Sequence, residues 1–308
     1  MKNRILTLIL CFNACALSAQ SLPDIVIQDT QVFPESVTST RDGRVFIGSV
    51  KGIVYRAGPA DSIAVPFILH SEANGILTIL GVLADEQANT LWLCSVPNFF
   101  GPERSEGISA LMAFDLDTGR FKASYPFPAP ASVCNDITIA ADGSAYASDT
   151  SNGRIFKLAP GAGELAEYAA DPLLVGIDGL AFSASDVLYV NNVRSNKLYR
   201  VDTQADGSFA GLVELALSHE LGGPDGMRLI EGNRFIQAEG TIGRLSVVTI
   251  DRDSASLQVL RDDLQSTPGA TVVGNTAYVI ESHIQYLFNP ELKGKDPGDF
   301  VIYAVPLQ

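Results

Sequence analysis

The sequence predicts an all-β fold, a six-bladed β-propeller, and three observations carry that prediction. Beyond the N-terminus no stretch shows a useful helical period, whereas short Val/Ile/Leu/Tyr-rich runs alternate with Asp-Gly, Gly-Asn and Ser-Asn turns. The runs recur as strand–turn–strand copies. Six such copies begin at Glu35, Gly81, Asn135, Asp178, Asp225 and Pro268, spaced 46, 54, 43, 47 and 43 residues apart. Units of that length, each about four strands, match propeller blades better than a sandwich or a β-helix, whose repeats are shorter.

In chain order, residues 1–20 come first. Lys2 and Arg4 precede an apolar run and then the small residues Ala16-Leu17-Ser18-Ala19. This is the layout of a secretory signal, too short for a membrane anchor. Residues 21–308 then form a single propeller domain, exported to the periplasm or the medium. Residues 24–28 (Asp-Ile-Val-Ile-Gln) are placed to close the ring beside residues 300–305 (Phe-Val-Ile-Tyr-Ala-Val) of the last blade. The copies themselves are clearest at Asp142-Gly-Ser-Ala-Tyr-Ala-Ser-Asp149 and Asp186-Val-Leu-Tyr-Val-Asn-Asn192. The others run through Asp42–Ser49, Asn89–Ser95, Asn233–Glu239 and Asn275–Glu281.

Removal of the first 20 residues would also remove Cys11 and Cys15, leaving Cys94 and Cys134. Their spacing is not that of a metal site. On neighbouring blades in an oxidising compartment, the pair can form one disulfide, and the sequence leaves open whether it does.

Composition excludes several classes of function. The net charge of −14, with 18% charged residues, gives no basic surface for nucleic acid, and no later apolar run is long enough to span a membrane. There is no Gly-x-Ser-x-Gly elbow, phosphate loop or dinucleotide fingerprint. A quinone-dependent sugar dehydrogenase on the same architecture would need a basic pocket that the sequence does not show.

Register supplies the candidate site. The first strand of each blade lines the channel, so Glu35, Asn135, Asp178 and Asp225 are brought face to face. Asp178-Gly179 and Asp225-Gly226 also read as plain turns with Asp bonding its own backbone. Four aligned oxygen-bearing side chains favour a shared site. Facing carboxylates must take up a proton or a cation. One divalent cation with oxygen ligands answers this, Ca²⁺ first, with Mg²⁺ and Mn²⁺ as alternatives; Zn²⁺ is a poorer match because the ring holds no His or Cys.

The ends of the second strands, Ser49, Ser95, Asp149, Asn192, Glu239 and Ser282, are expected around that cation. Asp149, Asn192 and Glu239 are candidate substrate contacts. Two long loops, 97–109 and 283–299, emerge on the same face as lids or specificity walls and bring Phe99, Phe100 and His283 to it. His70 and His219 are the other two histidines.

The motifs Pro34-Glu35-Ser36, Asn135-Asp136, Asp178-Gly179-Leu180 and Pro224-Asp225-Gly226-Met227 resemble those of the gluconolactonase/regucalcin (senescence marker protein) propellers, over most of the chain. The resemblance implies one catalytic divalent metal and lactone hydrolysis. Glu35, Asp178 and Asp225 would be metal ligands, Asn135 a ligand or substrate contact, and Asp225 the general base. The sequence departs from the sugar lactonases in having Asp178 where Asn is usual, Val133 where they carry Arg, and Ile137 where they carry Gly. These changes, with the two phenylalanines, imply a less sugar-like ester or lactone as the small-molecule substrate of a monomeric enzyme. The competing reading is a non-catalytic, metal-stabilised propeller that binds a ligand or protein on its loop-rich face.

Overall fold

The computed structural model describes residues 22–97, 100 and 107–307. The predicted signal segment and Phe99 lie outside the described residues. Those that are described form 25 strands and two short 3-10 turns, Pro172–Leu174 and Ile284–Leu287. No helix among them is long and apolar enough to cross a membrane.

The strands fall into six consecutive antiparallel groups. Group 1 comprises Pro34–Ser39, Val45–Ser49, Val54–Ala57 and Ile63–Ile68, and group 2 Thr78–Asp85, Thr90–Val96, Ala110–Asp115 and Phe121–Pro126. Group 3 is Cys134–Ile139, Ala145–Asp149, Arg154–Leu158 and Ala166–Ala170; group 4 is Ile177–Phe182, Leu188–Asn192, Lys197–Thr203 and Phe209–Glu214. Group 5 runs through Pro224–Glu231, Arg234–Glu239, Arg244–Asp251 and Ser254–Arg261, the last also pairing in parallel with Ala216–Leu217. In group 6, Ala270–Val273, Thr276–Ile280 and Phe300–Pro306 are completed by Ile25–Ile27 from the N-terminus, through Ile25↔Ile302 and Ile27↔Phe300. Ile25–Ile27 also pairs in parallel with Ile63–Ile68, so groups 6 and 1 share one eight-stranded sheet.

Burial explains the composition of these strands. Second strands such as Val45–Ser49 and Thr90–Val96 are buried along their whole length, hence their unbroken apolar runs. A fourth strand such as Phe121–Pro126 is exposed to half-buried throughout and carries Lys122 and Ser124. The tight Asp-Gly connections need a positive φ, met by Gly143 at +81°.

Six apolar clusters lie between consecutive groups, and the sixth group packs on the first through Val37, Ile47, Ile280 and Phe300. The first strands of the six groups likewise neighbour one another in order, with the last beside the first. Between groups 2 and 3, Cys94 and Cys134 form a disulfide with a Cα–Cα distance of 5.1 Å, both residues fully buried.

This cross-link fixes two adjacent first-to-second-strand pairs across a sequence separation of 40 residues. In the chain-entropy view a loop of that size contributes about 4 kcal/mol, and native domains lose roughly 2–5 kcal/mol without such a bond. The Cys94→Ala/Cys134→Ala protein should therefore melt about 5–10 °C below the parent. Reductant should lower the parent's melting temperature toward the variant's and leave the variant unchanged.

Candidate functional site

Five of the six first strands carry a register irregularity at the same level. Pairing skips between Pro34 and Ser36, Ile79 and Gly81, Cys134 and Ile137, Ile177 and Leu180, and Pro224 and Met227. The residues left out of the ladder are Glu35, Leu80, Asn135-Asp136, Asp178-Gly179 and Asp225-Gly226. A bulge turns a side chain out of its strand's alternation, and here Glu35, Leu80, Asn135, Asp178 and Asp225 all line one cavity. In group 2 the residue in this position is Leu80, not the predicted Gly81. Gly81 instead lets group 3 approach: a Cβ there would sit 2.2 Å from the Asn135 carbonyl oxygen.

Bulges leave backbone groups unpaired, and buried side chains of second strands serve them. Ser148 Oγ accepts from Asp136 N (2.9 Å) and donates to Asp178 O (2.9 Å). Asn191 does the same one group on, accepting from Gly179 N (2.8 Å) and donating to Asp225 O (2.6 Å). Each therefore stitches two neighbouring bulges together.

Glu35, Leu80, Phe100, Asn135, Asp178 and Asp225 line a cavity of about 740 Å³. Asn135 Nδ2 donates to Asp178 Oδ2 (2.9 Å) and Thr150 Oγ1 (3.0 Å). Asp225 Oδ1 accepts from Gly226 N at 2.9 Å. Asp178 Oδ1 is buried with no hydrogen-bond donor. The Asp178 and Asp225 carboxyls lie within hydrogen-bonding reach, a contact that two ionised carboxylates sustain only with a shared proton or a cation. Burial, then the neighbouring Asp136 carboxylate, pushes Asp178 up to about 7. Burial, then Asp178, raises both Glu35 and Asp225 well above the usual carboxylate range.

Below the carboxyls lies a pair the sequence reading missed. Arg228 grips Asp136 with both terminal nitrogens at 2.7 Å and also donates to Val82 O and Met227 O. Both side chains are nearly buried. The guanidinium partly offsets the repulsion, lowering the proton affinity of Glu35 and Asp178. Removing one partner of such a pair costs about 3–5 kcal/mol, because the other stays buried and charged.

Asp149, Asn192 and Glu239 are not among the residues that line the cavity; their side chains are engaged elsewhere. Asp149 accepts from Ser132 Oγ and Val133 N; Asn192 donates to Leu173 O and Val175 O; Glu239 accepts from Gly222 N and pairs with Arg244. Ser49 and Ser95 act alike toward Val32 O and Leu77 N. Each ties down the chain entering its own group's first strand. His283 is also off the wall. It is buried beside Tyr286 and Phe300, while Ile284, Gln285 and Phe288 of its loop line the cavity. Further lining comes from Thr150, Arg194, Ile242 and Leu264, none of them anticipated.

Among the described residues, no group of three His, Cys, Asp or Glu stands as a ready-made metal site. The donor chemistry nevertheless fits a hard cation: three carboxyls with raised proton affinity, an amide oxygen, and an orphaned carboxylate oxygen.

The sequence matches no family profile and no curated protein. Solved structures do resemble the fold. A gluconolactonase from Xanthomonas campestris is 16% identical over 94% of this chain and 89% of its own, with a TM-score of 0.63. The calcium-binding protein regucalcin from Agrobacterium tumefaciens is 14% identical over 94% and 96%, TM-score 0.63. Virginiamycin B lyase from Staphylococcus aureus is 14% identical over 92% and 98%, TM-score 0.59. The all-β fold is thus one shared with propeller enzymes.

Because Asp178 titrates near 7 when folded, against 3.8 for an ordinary aspartate, the folded state binds more protons than the unfolded one between those values. In chelator, stability should therefore fall as pH rises from about 4 to about 7. Asp178→Asn should flatten this slope and raise the melting temperature at pH 8 by about 2 °C or more, as thermal melts across pH will show. Millimolar Ca²⁺ should stabilise the parent more than the variant.

Proposed function

We propose that the chain is a six-bladed propeller, closed by its N-terminal strand, that hydrolyses a lactone or ester with the help of one divalent cation. The observation that carries this reading is the convergence of Glu35, Asp178, Asp225 and Asn135, each from a bulge of a different first strand, on the floor of one cavity. The likeness to a gluconolactonase and to a calcium-binding regucalcin supports it.

Glu35, Asp178, Asp225 and the Asn135 amide oxygen would hold the cation, Ca²⁺ first. Bound there, it supplies Lewis acidity toward the substrate carbonyl. Asp225 is the general base. Its Oδ1 is held by the Gly226 amide, and burial, then Asp178 and Glu35, raises its affinity for the proton it would take from the attacking water. Asn135 Nδ2 is fixed by Thr150 and Asp178, so the amide cannot swing away from the centre. Leu80, Phe100, Ile284 and Phe288 give the cavity apolar walls that receive a less polar substrate than a sugar lactone. The Cys94–Cys134 disulfide supports an exported protein, because such bonds persist in oxidising compartments.

Purified protein should hydrolyse members of a lactone and ester panel in Ca²⁺, lose that activity in chelator and regain it on adding a divalent cation. Glu35→Gln and Asp225→Asn should each lower kcat/KM by about 100-fold or more with an unchanged circular-dichroism spectrum. Hydrolysis that continues undiminished in chelator would refute the metal-assisted mechanism. No turnover across the panel, with a ligand still raising the melting temperature, would favour the non-catalytic binding protein.

A further inference from the structure

Arg194 is the one basic side chain among the described residues that line the cavity. Its position is set locally. The Arg194 amide donates to Asn192 Oδ1 at 2.9 Å, and Asn192 is itself anchored to Leu173 O and Val175 O. The stem of Arg194 lies across Gly176, which adopts a φ of +96°; a Cβ there would stand 2.7 Å from its Cγ and 2.8 Å from its Cδ. The guanidinium makes no hydrogen bond or ion pair with the described residues. By contrast Arg44, Arg200, Arg228, Arg244 and Arg261 are each held by a carboxylate.

This arrangement separates charge within one cavity. Three carboxyls lie on the floor, and the guanidinium stands beyond ion-pairing distance of them. The same cavity is lined by Ile242, Leu264, Ile284 and Phe288, two of which, Ile242 and Phe288, are 45% and 62% exposed. Large apolar side chains left open inside a concavity mark a place for an apolar ligand body. A site with three carboxylates and one divalent cation keeps a net negative charge, so an anionic ligand needs a separate positive group. Arginine binds a carboxylate through two parallel N–H donors, which adds direction to the attraction.

We propose that Arg194 is the specificity determinant for a substrate with a carboxylate at one end, an apolar body, and the lactone or ester bond at the other. This rests on the hydrolase reading above.

The test uses the full chain loaded with Ca²⁺ and two δ-lactones with the same alkyl side chain, one ending in a carboxylate and the other in a methyl group. The parent should prefer the acid by about tenfold or more in kcat/KM, the value of one good charged contact, carried mainly by KM. Arg194→Gln should bring that ratio close to one, and Arg194→Lys should keep part of it. A parent with no preference, or a ratio unchanged in Arg194→Gln, would overturn the assignment. If neither lactone is turned over, it is the hydrolase reading that fails, and Arg194 is then tested by calorimetry with an ω-phenylalkanoate and the matching ω-phenylalkanol. Arg194→Gln should weaken the acid about tenfold more than the alcohol; equal effects on both ligands would refute the role given to Arg194.

Discussion

Repulsion among carboxyls that the fold forces together is the constraint on which the rest of the centre depends. Glu35, Asp178 and Asp225 belong to strand groups far apart in sequence, yet each sits in a bulge aimed at the same point. A bulge takes a residue out of the ladder, so its side chain is positioned by the backbone rather than by its own rotamer freedom. The carboxyls cannot relax apart without breaking the pairing of their strands. Their raised proton affinities are the electrostatic consequence of that rigidity.

Much of the surrounding polar structure makes this placement tolerable. Ser148 and Asn191 satisfy the backbone groups that the bulges expose, each linking two neighbouring strand groups. Arg228 neutralises Asp136 beneath the floor and softens the field on the carboxyls above. The ends of the second strands hold the incoming chain of every group except the last. Polar side chains at equivalent positions thus do two distinct jobs. Those in the first strands face the cavity, and those ending the second strands tie the scaffold.

That division explains what was legible in the sequence. The spacing of Glu35, Asn135, Asp178 and Asp225 is visible because repeats keep their register, and the same period exposed the strand groups and placed Cys94 near Cys134. Asp149, Asn192 and Glu239 recur just as regularly, so the period alone could not separate ligand-facing from loop-tying side chains. The signal that could have helped is the turn following each of them: an Asx-type side chain two or three residues before a tight turn commonly bonds local backbone. Leu80 was misplaced by one residue because a bulge adds a residue without altering the hydrophobic pattern. Arg228 was invisible for a different reason. Its partner Asp136 lies 92 residues away, and nothing local distinguishes it from a solvated arginine at a strand surface.

Asp178 is the residue on which this electrostatic balance turns. The resemblance to sugar lactonases leads one to expect an amide there, which would bring an oxygen donor without a charge. A carboxylate brings the donor and a third negative charge. Asn135 offsets part of that charge by donating to Oδ2, while Oδ1 is buried with no donor. A proton affinity near neutrality means that Asp178 is easily neutralised by a proton when no cation is present, and that a cation must displace that proton in order to bind. On the metal-assisted reading proposed above, cation binding at this centre would release that proton, and the extra carboxyl would tie occupancy of the cavity to pH in a way an asparagine could not.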